Sequence, residues 1–169
     1  MSRAFTKEDS WEEPVVPPRA SLPPGVPNYV TPRGLALLHE EATALEAQRA
    51  RLEPEVEDEA ERRKRRAVLT RRMSDLATRI AMAEVVEPGK QPRGRAHFGA
   101  RVTLRTGKGA GETRTLQIVG VDEADPEAGR IAFLAPIARA ILGHAVGETI
   151  RFQGDRLTIE NITYEETDA

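Results

Sequence analysis

Two apolar patterns separated by an acidic stretch constrain the fold of this sequence most strongly. In the segments that begin at Leu35 and at Leu69, apolar or small residues recur in alternating steps of three and four. This spacing is typical of a coiled-coil seam. If the chain reverses near residues 57–59, the two seams face each other. The sequence therefore predicts an antiparallel helical hairpin over residues 30–88, ~35–40 Å long at a helical rise of 1.5 Å per residue.

Helix start and stop signals bracket both arms of this hairpin. Thr31 followed by Pro32 is typical of a helix N-terminus, since threonine caps the first turn and proline fits the first helical position. Asp58 with Glu61 three residues later resembles a capping box for the second helix. Pro54 lies where the first helix should end or kink.

The segment 1–29 has a different composition from the rest of the chain. It holds six of the 12 prolines and the only tryptophan, Trp11, with no periodic apolar pattern. Such a segment cannot bury enough surface to offset its ordering entropy, and its X-Pro steps favour extended geometry. We expect a disordered, flexible arm. A docking peptide anchored by Trp11 is the functional alternative.

The turn of the hairpin is crowded with carboxylates. Six of them fall within nine positions: Glu53, Glu55, Glu57, Asp58, Glu59 and Glu61. Crowded carboxylates bind hard cations such as Mg²⁺. The simpler interpretation is a solvated turn, with acidic residues at a helix N-terminus where they are favourable.

A run of basic residues follows the acidic turn: Arg62, Arg63, Lys64, Arg65 and Arg66. The apolar seam is interrupted at Arg62 and Arg66, so charge contributes to holding this end together. Ion pairs within the hairpin, each weak at a surface, are one interpretation. A strip that follows an RNA or DNA backbone is the other.

After a basic linker, residues 89–96, the pattern changes to that of a second domain, 97–164. Alternating residues predict strands over 100–105, 113–121, 130–134, 148–152 and 157–164. A short helix over 136–142 begins with proline and is followed by glycine. Such strands with one short helix predict a small α+β domain. The whole chain is thus α+β, a helical hairpin followed by a sheet domain, with residues 165–169 as a tail.

Composition argues against several classes of function. A net charge of −2 excludes bulk polycation behaviour, so any nucleic-acid contact must be local. The absence of cysteine removes disulfides, thiolate zinc sites and thiol nucleophiles. No nucleophile motif or metal-binding histidine spacing is present. We therefore expect a chain that has no catalytic turnover and no cofactor of its own. Because no stretch has the roughly 20 apolar residues of a membrane span, we also expect a cytoplasmic protein with no membrane contact.

The motifs of the second domain, taken in order, resemble the C-terminal domain of the bacterial GreA/GreB transcription elongation factors. The clearest are His97-Phe98-Gly99-Ala100-Arg101-Val102, Asp122-Glu123-Ala124-Asp125 and Pro136-Ile137-Ala138-Arg139-Ala140. The hairpin entry at residues 29–35 and its exit at 83–87 also resemble that family. Residues 1–28 lie outside the resemblance.

The resemblance implies an FKBP-like domain that binds bacterial RNA polymerase at the rim of the secondary channel, with the hairpin entering the channel. The implied partner-binding residues are Asp122, Glu123, Asp125, Leu134, Pro136, Ile137 and Arg139. The implied catalytic carboxylates, lent to the polymerase, are Glu55, Glu57, Asp58 and Glu59, with Glu57 and Asp58 sharing the Mg²⁺ of the polymerase active site. Contacts to RNA, including the nascent 3′ end, would come from Arg62, Arg63, Lys64 and Arg66. We expect a monomer.

Two departures from the family pattern keep a second function open. The family's tip carries a sequence like Gly-Asp-Leu-Ser-Glu-Asn-Ala-Glu-Tyr on a longer hairpin, whereas this chain has Pro54-Glu55-Val56-Glu57-Asp58-Glu59. Leu134 and Ala135 stand where the family usually has a polar residue. The alternative to cleavage of backtracked RNA is a channel-occupying regulator that competes with Gre factors. A prolyl isomerase-like domain is less favoured because the second domain has few aromatics, and a dimeric coiled coil because the seams pair within one chain.

Overall fold

The computed structural model describes residues 19–55, 58–107 and 111–165, and within them two helices lead into a curled sheet. The hairpin part consists of β1 (Asn28–Val30), α1 (Pro32–Glu55), α2 (Glu59–Ala81) and β2 (Ala83–Val85). The second part consists of β3 (Ala100–Thr106), β4 (Thr113–Val119), β5 (Arg130–Ala132), α3 (Pro136–Ile141), β6 (Thr149–Phe152) and β7 (Asp155–Tyr164). Single turns of 3₁₀ helix lie at Pro88–Lys90 and Pro126–Ala128. The α+β fold class is confirmed.

Both long helices begin at the predicted caps. The Gly34 backbone N–H donates to Thr31 Oγ1 at 2.9 Å, which satisfies one of the orphan donors of the first turn of α1. Asp58 is the N-cap of α2, and its side chain accepts from the Ala60 backbone N–H at 3.0 Å. Helix α1 ends at Glu55, one residue after Pro54.

The predicted seam forms the core of the hairpin. Its buried members are Leu38, Leu45, Leu52, Leu69 and Leu76, together with Val30 at the base. Leu35, Ala42, Met73, Ile80 and Ala83 are partly buried and pack against them. Because neither helix can bury this face alone, the seam stabilises the antiparallel pair as a unit.

A short parallel ribbon that the sequence analysis did not predict closes the base of the hairpin. Strand β1 pairs with β2 in parallel, with Asn28 opposite Ala83 and Val30 opposite Val85. The Asn28 side-chain amide donates to the Arg79 carbonyl at 3.0 Å and is buried. Strands of three residues are too short to show a period-two pattern, so only their pairing partners reveal them.

The second domain is a five-stranded sheet with the order β5-β4-β3-β7-β6. Strands β4 and β5 are parallel and the other neighbours are antiparallel. The register of β3 against β7 shifts between Thr103 and Leu104, and such a bulge increases local twist and bend. The five strands and the short helix fall where the alternating pattern predicts them. They enclose a core that includes Val102, Leu104, Ile118, Ile141 and Ile159.

Residues 19–29, predicted as part of a disordered arm, are packed against the rest of the chain. Leu22, Val26 and Tyr29 are partly buried against the core of the second domain. The apolar residues of this segment are too widely spaced to give a helix or strand pattern, yet each meets an apolar surface that other elements build. Residues 1–18 of the predicted arm lie outside the described part of the chain.

The predicted linker also differs from the structure at both ends. Pro88 is buried, and its 3₁₀ turn, Pro88–Lys90, includes the first two residues of the predicted linker. At the other end Ala96 is fully buried, its N–H donates to the His144 carbonyl, and its carbonyl accepts from the Gly143 N–H. The sheet domain therefore begins no later than Ala96, because backbone pairing fixes the chain before the strand pattern starts.

An aromatic cluster joins the hairpin base to the sheet domain. Tyr29 of β1 lies 5.8 Å from Phe98 and 5.7 Å from Phe133, measured between ring centroids, and the two phenylalanines are 5.7 Å apart. Gly120 allows the backbones to approach, since a Cβ atom there would stand 2.6 Å from the Tyr29 carbonyl oxygen. These contacts hold the hairpin in a defined orientation on the sheet domain.

The hydroxyl of Tyr164 ties the end of β7 to the start of the domain. It donates to the Arg95 carbonyl at 2.6 Å and accepts from the His97 N–H at 3.0 Å. Burial raises the pKa of this phenol, although the hydrogen bond from His97 opposes the shift. Folding therefore favours the protonated phenol.

Tyr164→Phe should lower the free energy of unfolding by about 1–3 kcal/mol, because it leaves two partly buried backbone groups without their partner. Tyr29→Phe is the matched control, since no hydrogen bond of the Tyr29 hydroxyl occurs among the described residues. Urea unfolding monitored by circular dichroism measures both. The native protein should also lose stability as pH rises above about 10, the ordinary pKa of tyrosine, and the Tyr164→Phe variant should lack this component. Equal losses in the two variants would contradict the assignment.

Candidate functional site

Two consecutive carboxylates after β4 lie at the junction between the hairpin and the sheet domain. Glu123 is the more deeply buried, with 2% of its side chain exposed. Its Oε2 accepts from the Thr31 hydroxyl at 2.5 Å and its Oε1 pairs with Arg33 Nη1 at 3.0 Å. Gly34 makes room for the carboxylate, since a Cβ atom there would stand 2.8 Å from Glu123 Oε2. A buried charge is thereby matched with a cation and a capped helix N-terminus.

Asp122 binds the other side of the hairpin base. Its Oδ1 lies 2.9 Å from Arg19 Nη1, and its Oδ2 lies 3.2 Å from Arg79 Nε. Arg19 also pairs with Glu41 of α1 at 2.5 Å, and Arg79 donates to the Ala20 carbonyl. Desolvation tends to lower the pKa of the Arg19 guanidinium, but its bonds to Asp122 and Glu41 together raise it. Arg19 therefore connects three segments of the chain as a permanent cation.

The structure places Asp122 and Glu123, two of the predicted partner-binding residues, in this internal network. Both carboxylates are bound within the chain, and their partner-binding role stays a prediction. Asp125 is the N-cap of the second 3₁₀ turn, and it also pairs with Arg130 at 3.0 Å. About half of the Asp125 side chain stays exposed, so its partner-binding role remains a prediction.

The segment that contains α3 divides into a buried and an exposed face. Ile137, Ala138 and Ile141 point into the core of the sheet domain. Ile137 is therefore corrected from a surface anchor to a core residue, because an α-helix with one buried face cannot present every position. Pro136 and Arg139 are exposed and Leu134 is half-buried. These three remain the predicted contact points for a partner.

A second set of polar groups lies just beyond α3. The Glu148 carboxylate accepts from the Ala145 N–H at 2.7 Å and lies 3.0 Å from His144 Nδ1. The hydrogen bond from Ala145, and after it the one from His144, lowers the pKa of Glu148.

At the hairpin tip, the described carboxylates are engaged locally. Asp58 caps α2, Glu59 pairs with Arg63 at 3.4 Å, and Glu61 pairs with Arg65 at 2.8 Å. Glu57 lies outside the described residues, and Glu55 is the last residue of α1. Within the described part of the chain, no group of three or more acidic or histidine side chains could hold a metal ion. The predicted catalytic and Mg²⁺-sharing roles of the tip stay predictions.

The basic strip contributes to these same ion pairs. Arg63 and Arg65 face carboxylates four residues earlier in α2, the spacing at which helix side chains meet. Lys64 is exposed, and Arg62 and Arg66 also make contacts within the chain. Part of the basic strip therefore forms ion pairs within the hairpin. The contact with RNA remains a prediction for Arg62, Arg63, Lys64 and Arg66.

The sequence analysis missed the cations at the junction. Arg19 lies in a segment without periodicity, and Arg33 and Arg79 have no partner close in sequence. Arg79 lies next to Ile80 of the apolar seam, which is the only local hint that it is buried.

None of the described helices is long and apolar enough to cross a membrane.

Glu123→Gln should lower the free energy of unfolding by about 1–3 kcal/mol, because the amide loses the charge that Arg33 and the N-terminus of α1 stabilise. Glu127→Gln is the matched control, since Glu127 is exposed on the same connection. Urea unfolding of the full chain compares the two. A loss no greater than that of the control would show that the buried carboxylate does not stabilise the junction.

The comparisons with known proteins concern mainly the sheet domain. A family model described as "Transcription elongation factor, GreA/GreB, C-term" matches residues 91–164. Transcription elongation factor GreA of Sinorhizobium medicae is 46% identical over 79 residues, which cover 47% of this chain and 49% of that protein. GreA of Syntrophobacter fumaroxidans is 34% identical over 91 residues, covering 54% and 58%. The chain thus spans about half the length of the curated relatives it matches.

Among solved structures, GreA/GreB from Nitrosomonas europaea is 24% identical, with coverage of 80% of this chain and 98% of that one and a TM-score of 0.40. GreA factor homolog 1 of Thermus thermophilus is 21% identical, with coverage of 82% and 99% and a TM-score of 0.36. The domain match and the GreA relatives support the same conclusion. Residues 91–164 of this chain are similar to the C-terminal domain of the GreA/GreB transcription elongation factors.

Proposed function

We propose that this chain is an accessory factor of a bacterial RNA polymerase that regulates transcription elongation through the secondary channel. The observation that carries the proposal is the GreA/GreB C-terminal domain at residues 91–164. The curated relatives that share this domain are named transcription elongation factors. The chain would have no turnover of its own and would need no cofactor beyond the Mg²⁺ of the polymerase active site.

In this proposal, the exposed side of the α3 segment contacts the rim of the channel. Pro136 supplies an apolar contact, Arg139 a charge, and Leu134 a half-buried apolar edge. For Pro136 and Arg139, the support lies in the resemblance of residues 136–140 to the family motif and in their exposure. Leu134 is included because it lies beside that motif and is only half-buried. Ile137 acts indirectly, because its packing in the core fixes the position of α3.

The junction supports a hairpin that works as a rigid probe. Glu123 and Asp122 bind both arms of the hairpin base, and Tyr29 packs against two phenylalanines of the sheet domain. A factor bound through the sheet domain would then direct α1 and α2 along one line. The same aromatic packing argues against the prolyl isomerase alternative, because Phe98 and Phe133 are used at the junction rather than in an open pocket.

The tip can act in one of two ways in the channel. Carboxylates at the tip could complete the coordination of a Mg²⁺ ion that the polymerase holds, which supplies Lewis-acid chemistry for cleaving backtracked RNA. The described side chains favour the second candidate, a channel-occupying regulator, because Asp58 caps α2 while Glu59 and Glu61 face arginines. These contacts lower the number of carboxylate oxygens free to reach a partner's metal.

Arg139→Glu in the full chain should weaken binding to RNA polymerase by about tenfold or more, the loss of roughly 1.4 kcal/mol expected when a central interface residue is changed. Pro136→Asn should weaken it in the same direction. Arg151→Glu is the matched control, since it reverses an exposed arginine of β6. Fluorescence anisotropy with labelled protein measures the affinity. If all three variants bind as tightly as the native chain, the docking surface lies elsewhere.

A tip variant separates the two modes of action. Glu55, Glu57 and Glu59 change to Ala, while Asp58 changes to Asn, because asparagine caps a helix as well as aspartate and alanine would cost about 1 kcal/mol. If the tip promotes cleavage, the variant should retain its affinity for backtracked complexes and lose the cleavage rate, since such carboxylates act in the transition state. Gel analysis of RNA length gives the rate. A native chain that only inhibits, and a variant that inhibits equally, would establish the channel-occupying regulator.

A further inference from the structure

Two grooves follow each other along one face of the hairpin. The groove nearer the tip has a volume of about 430 Å³ and is lined by Gln48, Arg51, Leu52, Glu61, Lys64, Arg65, Val68 and Leu69. The groove nearer the base has a volume of about 350 Å³ and includes Arg19, Leu22, Arg71, Asp75 and Arg79. Asp75 and Val68 are seven residues apart in α2, which places both grooves on the same face of that helix.

The groove nearer the tip combines an apolar floor with a cationic rim. Leu52 and Leu69 are buried and Val68 is half-buried, so the floor is shared by both helices. Arg51 and Lys64 are exposed at the rim, and neither has a hydrogen bond or ion pair among the residues that the structure describes. This chemistry suits a ligand that has an apolar or aromatic group flanked by negative charges.

We propose that the groove nearer the tip binds the N-terminal segment of the same chain, with Trp11 on its apolar floor. Trp11 is the only tryptophan of the sequence, and acidic residues flank it on both sides: Glu8, Asp9, Glu12 and Glu13. These carboxylates match Arg51 and Lys64 of the rim. The indole offers a large apolar face to the leucines and a cation–π surface to an arginine.

The first described residue of the chain, Arg19, lies beside the groove nearer the base, on the same face as the groove nearer the tip. Arg19 lines the groove nearer the base and pairs with Glu41, which lies seven residues before Gln48 and so on the same face of α1. From Arg79 to Arg65, the distance along α2 is about 21 Å at 1.5 Å per residue. From Arg19 back to Trp11, the chain reaches about 25 Å in polyproline geometry, which its prolines at 14, 17 and 18 favour. The segment therefore has the length to place Trp11 in the groove.

Binding of this segment would set negative charge against Lys64, a residue of the predicted nucleic-acid strip. The segment then competes with any phosphate-bearing partner for the same cations. This proposal goes beyond the proposed function and does not require polymerase binding, since both partners belong to one chain.

Trp11 fluorescence in the full chain tests the proposal, with a synthetic peptide of residues 1–18 as the reference for an unbound indole. Trp11 should be protected from acrylamide quenching relative to the peptide, at every protein concentration. The double variant Arg51→Glu with Lys64→Glu should lose this protection, and Arg151→Glu should keep it. The double variant Glu12→Lys with Glu13→Lys, which changes no residue of the hairpin or the sheet domain, should also lose it. Combining both double variants should restore it.

Three results would overturn the proposal. The first is a quenching constant equal to that of the peptide, and the second is protection that both charge-reversal variants leave unchanged. The third is protection that grows with protein concentration, which would assign the groove to a second copy of the chain. Circular dichroism melting confirms that each variant is folded, and the Glu12→Lys with Glu13→Lys variant decides the matter if the groove variant unfolds.

Discussion

The buried carboxylate of Glu123 is the contact on which the relation between the two parts of this protein depends. Helix α1 has no acidic residue in its own first turn, so the charge that complements its N-terminal dipole comes from the sheet domain. The Thr31 hydroxyl both accepts from the helix backbone and donates to Glu123. The same hydroxyl thus caps α1 and joins it to the sheet domain. Loss of either partner would affect both the helix and the junction.

Around this contact, the hairpin base is held by groups that differ in chemistry. Asp122 binds Arg19 and Arg79, the β1–β2 ribbon joins the entry of the hairpin to its exit, and Tyr29 packs between aromatic rings. The polar pairs match charged groups across the junction, and the aromatic side chains bury apolar surface there. At the opposite end, the described ion pairs, Glu59 with Arg63 and Glu61 with Arg65, lie within α2 itself, and such surface pairs contribute little each. The hairpin is therefore firmly anchored at its base and less strongly held at its tip.

The charge distribution of the hairpin favours a regulatory interpretation of the tip. Carboxylates that cap a helix or face an arginine are already stabilised where they are, so moving them to a metal ion has a cost. The basic strip beside them lies within reach of the acidic N-terminal segment, in the arrangement inferred above. The hairpin would then carry both a contact surface and a segment that competes for it.

The periodic elements could be predicted from the sequence, because helices and long strands leave a local signature. The seam from Leu38 to Leu76, the caps at Thr31 and Asp58, the five strands and the helix that begins at Pro136 all follow from patterns within a few residues. The sequence by itself determined these elements and the match of residues 91–164 to the family. Only the tertiary structure decided that residues 19–29 are packed, that β1 and β2 exist, and that Asp122, Glu123 and Ile137 are internal. Arg19 and Asp122 are about a hundred positions apart, and Thr31 and Glu123 nearly as far. Such contacts have no period in the sequence, because their partners are brought together by the packing of separate elements and not by the geometry of any one of them.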